Sequence, residues 1–307
     1  MKKTTKFMLF ALAPLLLGAC SSGGGGVVDE PDVPDTPSPV EKLPIRITTV
    51  VNPTRATDYA FEAGDKIGLY VVNRKADGTA SDLQAKGNYV DNMRFTYNGT
   101  WAPDSPVYWL DDKTHADFYL YYPYTATISD VKAMPFSVKA DQSTEAAYKA
   151  GDLLIGSAKD IAPTEAAVSI TARHAMSQML ITLVAGNGFT EESLAAADVA
   201  VKINGVKTNA TVNLATAAVT ATGSATSVKP LLADGSYKAL IVPQSVGQGN
   251  LITVTVDGRD FNLPKAFTFE GGKRHKFTVT LSKTSNGINV TIGQWEDDGT
   301  DNGGTAE

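Results

Sequence analysis

Cysteine is almost missing from this chain: the 307 residues hold one, Cys20. No internal disulfide can form, so the fold must be held by buried cores. With 43% apolar residues the chain can bury one large core or two ordinary ones. Basic residues do not dominate either. There are 27 Lys and Arg against 33 Asp and Glu, a net charge of -6 with the two signs interspersed. Without a basic stripe to displace counterions from phosphates, no nucleic-acid partner is expected. Histidine is scarce: His115, His174 and His275 lie far apart, and nothing is spaced to converge with them on a metal or a nucleophile. Each reads as a strand residue with a satisfied ring. A Gly-rich phosphate loop is also lacking, and no cofactor or metal is expected.

What is present begins with Lys2, Lys3 and Lys6, followed by the apolar run FMLFALAPLLLGA, which is short for a membrane span. LGAC follows directly, with Leu17, two small residues and then Cys20. This is similar to a bacterial lipobox, in which the signal, residues 1–19, is cut between Ala19 and Cys20. The Cys20 thiol is diacylated and the new amine acylated. Three acyl chains would hold the protein to a membrane far more firmly than one. The competing reading is an ordinary secretory signal with a chance cysteine. Ser21 and Ser22, where an aspartate is absent, resemble sorting to the outer membrane. Residues 20–44, rich in Gly, Pro, Asp and Glu, read as an extended, flexible tether with too little apolar content to pack.

The body shows period-two alternation throughout. Ile45, Ile47, Thr49 and Val51 share one face, as do Ile252, Val254 and Val256, then Phe277, Val279 and Leu281, then Ile288, Val290 and Ile292. Asp77-Gly78, Asn98-Gly99, Asn204-Gly205, Asp234-Gly235, Asp257-Gly258 and Asn286-Gly287 supply the positive φ of tight turns. Helix is expected only in short pieces such as STEAAYKAG and TEESLAAAD. The fold class is all-β: two consecutive antiparallel β-sandwiches, residues 45–185 and 186–307, the second ending in an acidic, Gly-rich tail. The division is set near VAGNGFTEES, where an aromatic-rich half gives way to one rich in Ala, Thr and Val.

Candidates for chemistry are few. Asp104, Asp111 and Asp112 surround SPVYWL and could imitate a glycosidase pair, but aspartates beside turns are ordinarily loop caps. EDDGTDNGG has a calcium-loop look without the closing glutamate. In DFYLYYPY, Phe118, Tyr119, Tyr121, Tyr122 and Tyr124 could line a sugar platform, although so dense a run reads better as a strand buried on both faces. No catalytic residue emerges, and the chain is expected not to be an enzyme.

An ordered set of short motifs carries a family resemblance: TRATDYAFEAGDKIGLYV, WAPDSPVYWLDD, DFYLYYPY, DLLIGSA, ARHAMSQMLITL, ALIVPQ, FEGGKRHKFTVTL and INVTIGQW. In this order the chain resembles the fimbrillins, subunits of the type V pili of Bacteroidales-type bacteria. The resemblance implies two transthyretin-like sandwiches. It also implies a cell-surface fimbrium built when an arginine-specific protease cuts the outer-membrane lipoprotein and frees its first strand. Partners would be other fimbrial subunits, the outer membrane through the lipid before maturation, and a host or bacterial surface ligand.

The residues fit this scheme. Ile45, Ile47, Thr49 and Val51 would form the removable strand. Arg55-Ala56, after Pro53, would be the exposed cleavage point, with Arg46 as the other candidate inside the strand. Ile288, Val290 and Ile292 could form a donor strand for the next subunit. They could instead complete this chain's own second sandwich, which would make it a tip or accessory subunit. The alternative to a fimbrial subunit or tip adhesin is a surface lipoprotein that binds glycan or host protein and never polymerises.

Overall fold

Runs of β-branched and aromatic residues, broken by Gly and Asp turns, dictate a fold that is nearly all strand. The computed structural model describes residues 42–51 and 60–283. The chain opens with β1 (Ile47–Val51), β2 (Lys66–Asn73), β3 (Val90–Tyr97), β4 (Trp101–Pro103) and β5 (Ala116–Tyr122). Next come β6 (Met134–Ser137), helix α1 (Glu145–Lys149), β7 (Leu154–Ile161) and β8 (Val168–His174). Then follow β9 (Ser177–Ala185), helix α2 (Glu191–Ala196), β10 (Val199–Asn213), β11 (Ala218–Val228), β12 (Leu231–Ala233) and β13 (Ser236–Ile241). The last are β14 (Gln244–Val246), β15 (Asn250–Val256), β16 (Arg259–Pro264), β17 (Phe267–Phe269) and β18 (Arg274–Leu281).

The first sheet has the order β1-β8-β7-β5-β2-β3-β4. Its inner face carries Ile45, Ile47, Ile67, Leu69, Phe95, Phe118, Leu120 and Ile170, all buried in one core. Its other face is covered as well. Tyr70, Val72, Tyr119 and Tyr121 pack with Met134, Val138 and Tyr148 from the segment between β5 and β7, and with Val212, Leu231 and Leu240 from later strands. The expectation that DFYLYYPY is buried on both faces therefore holds for β5. The strand stops at Tyr122 because Pro123 has no N–H for the ladder.

A third core lies between the sheet β11-β10-β15-β16 and the sheet β12-β13-β9-β18, with Ile181, Ile203, Val254, Phe261, Phe277 and Val279 at its centre. The expected division at residues 185 and 186 falls after β9. Yet β9 is flanked by β13 and β18, and β6 pairs with β10, so two strands from before residue 186 belong to the second set of sheets.

Both short helices form where expected, capped by Thr144 and by Thr190, the latter in a capping box with Ser193. Asp234-Gly235 and Asp257-Gly258 make two-residue hairpin loops with positive φ at both positions. Asn204-Gly205 corrects the expectation of a turn, for it lies inside β10 at a register shift between Ile203 and Val206. The pair forms a bulge there. The Asn204 amide donates to the Asn250 carbonyl at 3.0 Å and to the Thr253 hydroxyl at 2.9 Å, which holds the irregular backbone against β15.

Gly68 on β2 pairs with Tyr121 on β5, and the Tyr121 ring occupies the space a Gly68 side chain would need. The Tyr121 hydroxyl is fixed 2.7 Å from Asn92 Oδ1 and 2.9 Å from the Thr125 carbonyl, so the ring cannot step aside cheaply. Gly68→Ala is expected to lower stability by about 1–3 kcal/mol, read as a fall in the urea midpoint with an unchanged slope.

Candidate functional site

The first strand is the most unusual element of the first sheet, since it holds on at both of that sheet's margins. β1 pairs in parallel with β8, Ile47 opposite Val168 and Val51 opposite Ala172. The Val168 N–H also donates to the Arg46 carbonyl at 2.8 Å. On its other side the same segment bonds to the stretch that follows β4. The Ile45 N–H donates to the Val107 carbonyl, and the Trp109 N–H donates to the Leu43 carbonyl, both at 2.8 Å. The expected alternation is realised: Ile45 and Ile47 are 4% and 6% exposed, Thr49 and Val51 are half-buried, and Arg46, Thr48 and Val50 face outward. Two fully buried isoleucines with half-buried Leu43 and Val51 amount to roughly 5–8 kcal/mol of apolar burial.

Beside Thr49 lies an aromatic group that joins β1 to the opposite margin. The Trp101 indole N–H, on β4, donates to the Thr49 hydroxyl at 3.0 Å. Phe61 stands edge-on to Trp101 at 4.9 Å and to Tyr122 at 5.6 Å, while Tyr97 lies 5.0 Å from Trp101. A small cavity at the end of β1 is lined by Val51, Ala60, Phe61, Tyr122 and Leu154, and by four polar side chains. Those four are already engaged. Lys149 pairs with Glu62 at 2.8 Å, Asp65 accepts from the Tyr122 hydroxyl at 3.2 Å, and Asp152 meets His174 Nδ1 at 2.7 Å. Burial, reinforced by Asp65, pushes the Tyr122 phenol well above its ordinary pKa, so it stays a donor.

The other sequence candidates take structural parts. Asp111 accepts from the Lys113 and Thr114 N–H groups and from the Thr114 hydroxyl, which holds its carboxyl below the usual range. Asp104 pairs with Arg94 at 2.7 Å, and Asp112 is exposed. His115 lies just before β5 and contacts Asp160 at 2.9 Å. His275 Nε2 accepts from the Glu270 N–H at 3.2 Å. Among the described residues no group of three or more His, Cys, Asp or Glu is arranged for a metal. Ala19, Cys20, Arg55, Ala56, Ile288, Val290 and Ile292 lie outside the described residues.

Two features were not foreseen in the sequence. One is the Trp101–Thr49 bond. The other is Asp117, 2% exposed, which accepts from Arg74 Nε at 2.9 Å and from the Asp160 N–H at 2.8 Å. Neither partnership has a local signal, because each spans more than forty positions in the chain.

Residues 54–295 match the model of a family described as fimbrillin-like. The chain is 28% identical over 92% of its length to a Bacteroides uniformis protein named "Putative fimbrium subunit Fim1C", and covers 92% of it. Two crystal structures share its fold. A "putative cell adhesion protein" of Bacteroides uniformis gives a TM-score of 0.61 at 21% identity, covering 82% of this chain and 96% of the other. One of Bacteroides ovatus with the same description gives 0.64 at 17% identity, with the same coverage.

Ile47→Ala is expected to cost about 2–4 kcal/mol if β1 is an integral wall of the first core. The check is chemical denaturation together with hydrogen exchange at the β1 amides, where protection should fall first. A pH effect follows from His275. Burial pushes its pKa below the ordinary 6.5. Above about 6.5 the ring is neutral in both states and contributes nothing. As pH falls through that value the unfolded chain takes up a proton that the folded chain refuses, so stability drops until the lowered folded pKa is reached. His275→Gln should flatten that part of the stability profile, measured from pH 7.5 down to pH 4.5.

Proposed function

The chain belongs to the fimbrillin-like family, and from that premise we propose that it is a fimbrial subunit or tip adhesin that accepts a strand from a neighbouring subunit once its own first strand has been released. It is a fimbrium-related protein of the cell surface, and its role is structural or adhesive rather than catalytic. The precursor is an outer-membrane lipoprotein anchored through Cys20, its body is a pair of transthyretin-like sandwiches, and an arginine-specific protease matures it at Arg55-Ala56. The observation that supports this reading is the seat of β1, an edge strand whose apolar side chains fill the first core.

Loss of that strand would strip Ile45 and Ile47 from the core and leave the β8 edge and the 107–109 stretch with unpaired backbone groups. Strand addition from another chain repairs both losses in one step. Repeated head to tail, the exchange never closes on itself, so its product is a filament. Cleavage at Arg55 is favoured over Arg46, whose carbonyl is tied to Val168 and would have to be pulled free first. Ile288, Val290 and Ile292 remain the candidate donor, with Gln294, which carries a side-chain amide, next in phase; the other reading keeps them in this chain's own second sandwich, so that it accepts a strand and gives none.

One observation favours the non-polymerising, ligand-binding alternative. Tyr89, Tyr108 and Leu110 are exposed together, with the Tyr89 hydroxyl donating to the Tyr108 carbonyl at 2.9 Å.

The deciding experiment treats purified precursor with an arginine-specific protease and sequences the new N-terminus. A new terminus at Ala56 with SDS-resistant ladders is expected, both lost in Arg55→Ala and both kept in Arg46→Ala. A trimmed protein that remains a stable monomer and binds polysaccharide would overturn the proposal in favour of the alternative.

A further inference from the structure

We infer that the acceptor groove selects its incoming strand by a polar register rule: aliphatic side chains at the positions of Ile45, Ile47 and Val51, and a hydrogen-bond acceptor at the position of Thr49. This rests on the reading that another chain refills the groove, and it specifies what that chain must present.

The rule comes from one donor. The Trp101 indole N–H can only donate, and its present acceptor is the Thr49 hydroxyl at 3.0 Å. Phe61 at 4.9 Å and Tyr97 at 5.0 Å brace the ring, so it cannot turn away to find another acceptor without losing both contacts. Thr49 lies in phase with Ile47 and Val51, on the face turned toward the core. When β1 leaves, the donor stays behind on β4, among apolar neighbours.

A strand with a serine or threonine hydroxyl, or a side-chain amide, at this position restores the bond. One whose inward face is aliphatic throughout fills the space and leaves the N–H bare. A second indole in the same core, Trp109, is 4% exposed, and its N–H has no partner among the described residues, so that core already carries one unpaired donor. Shape therefore admits many strands to the groove, and the polar position discriminates among them.

The test has two arms. In the first, full-length precursor is cut with an arginine-specific protease in the presence of excess fluorescent peptide of residues 43–51. The peptide carries Arg46→Lys so that the protease leaves it whole. Threonine and Thr49→Ser peptides are expected to bind within about twofold of each other, and Thr49→Val about five- to tenfold more weakly. In a Trp101→Phe precursor the Thr49→Val disadvantage should vanish. Equal binding of threonine and valine peptides, or an unchanged disadvantage in Trp101→Phe, overturns the rule.

In the second arm the uncut chain carries Thr49→Val, Trp101→Phe or both, and opening of β1 is read by hydrogen exchange. About five- to tenfold more frequent opening is expected for Thr49→Val alone, with no added effect on top of Trp101→Phe. Additive effects overturn the rule here too. Failure of every peptide to bind sinks the refilling reading, and the exchange data still decide whether Trp101 governs that position.

Discussion

Hydrogen bonds at both margins of the first sheet converge on one short segment. Residues 43–51 bond to the stretch after β4 at one end and to β8 along the other, and Trp101 adds a side-chain tie between the same two margins. An open seven-stranded sheet would leave its inner aliphatic side chains facing water along the gap. Here Ile45 and Ile47 fill that gap, and the first core depends on their staying there. The closure is nonetheless thin. It is a single strand with backbone ladder partners over five positions on one side and two bonds on the other. A seat of this kind stabilises the fold while occupied, and on the reading proposed above it is the place another strand of matching pattern would take.

Much of this was legible in the sequence because it is local. Ile45-x-Ile47-x-Thr49-x-Val51 gave the face of β1, Phe118 and Leu120 against Tyr119 and Tyr121 gave a strand with two buried faces, and STEAAYKAG and TEESLAAAD gave the two short helices. Asn204-Gly205 has the pattern of a turn yet forms a bulge, because a positive-φ glycine serves either and the dipeptide alone does not distinguish them. The affiliation of β9 was hidden for a related reason. Alternation specifies a strand and its faces, and pairing partners tens of residues away decide which sheet it joins. Side-chain partnerships such as Trp101 with Thr49 leave no periodic trace at all.

The two sheet systems are not independent bodies strung on a linker. β5 presents Phe118 and Leu120 to the core that β1 closes, and presents Tyr119 and Tyr121 to another core that includes Val212, Leu231 and Leu240. Chain domains that meet over modest polar surfaces are expected to hinge. A continuous apolar layer with Tyr121 anchored on Asn92 and Thr125 opposes that freedom. It has a mechanical consequence. Tension entering one half passes to the other through interlocked side chains rather than through a flexible joint, so a fibre of such units would give at the junctions between molecules before it bent within one.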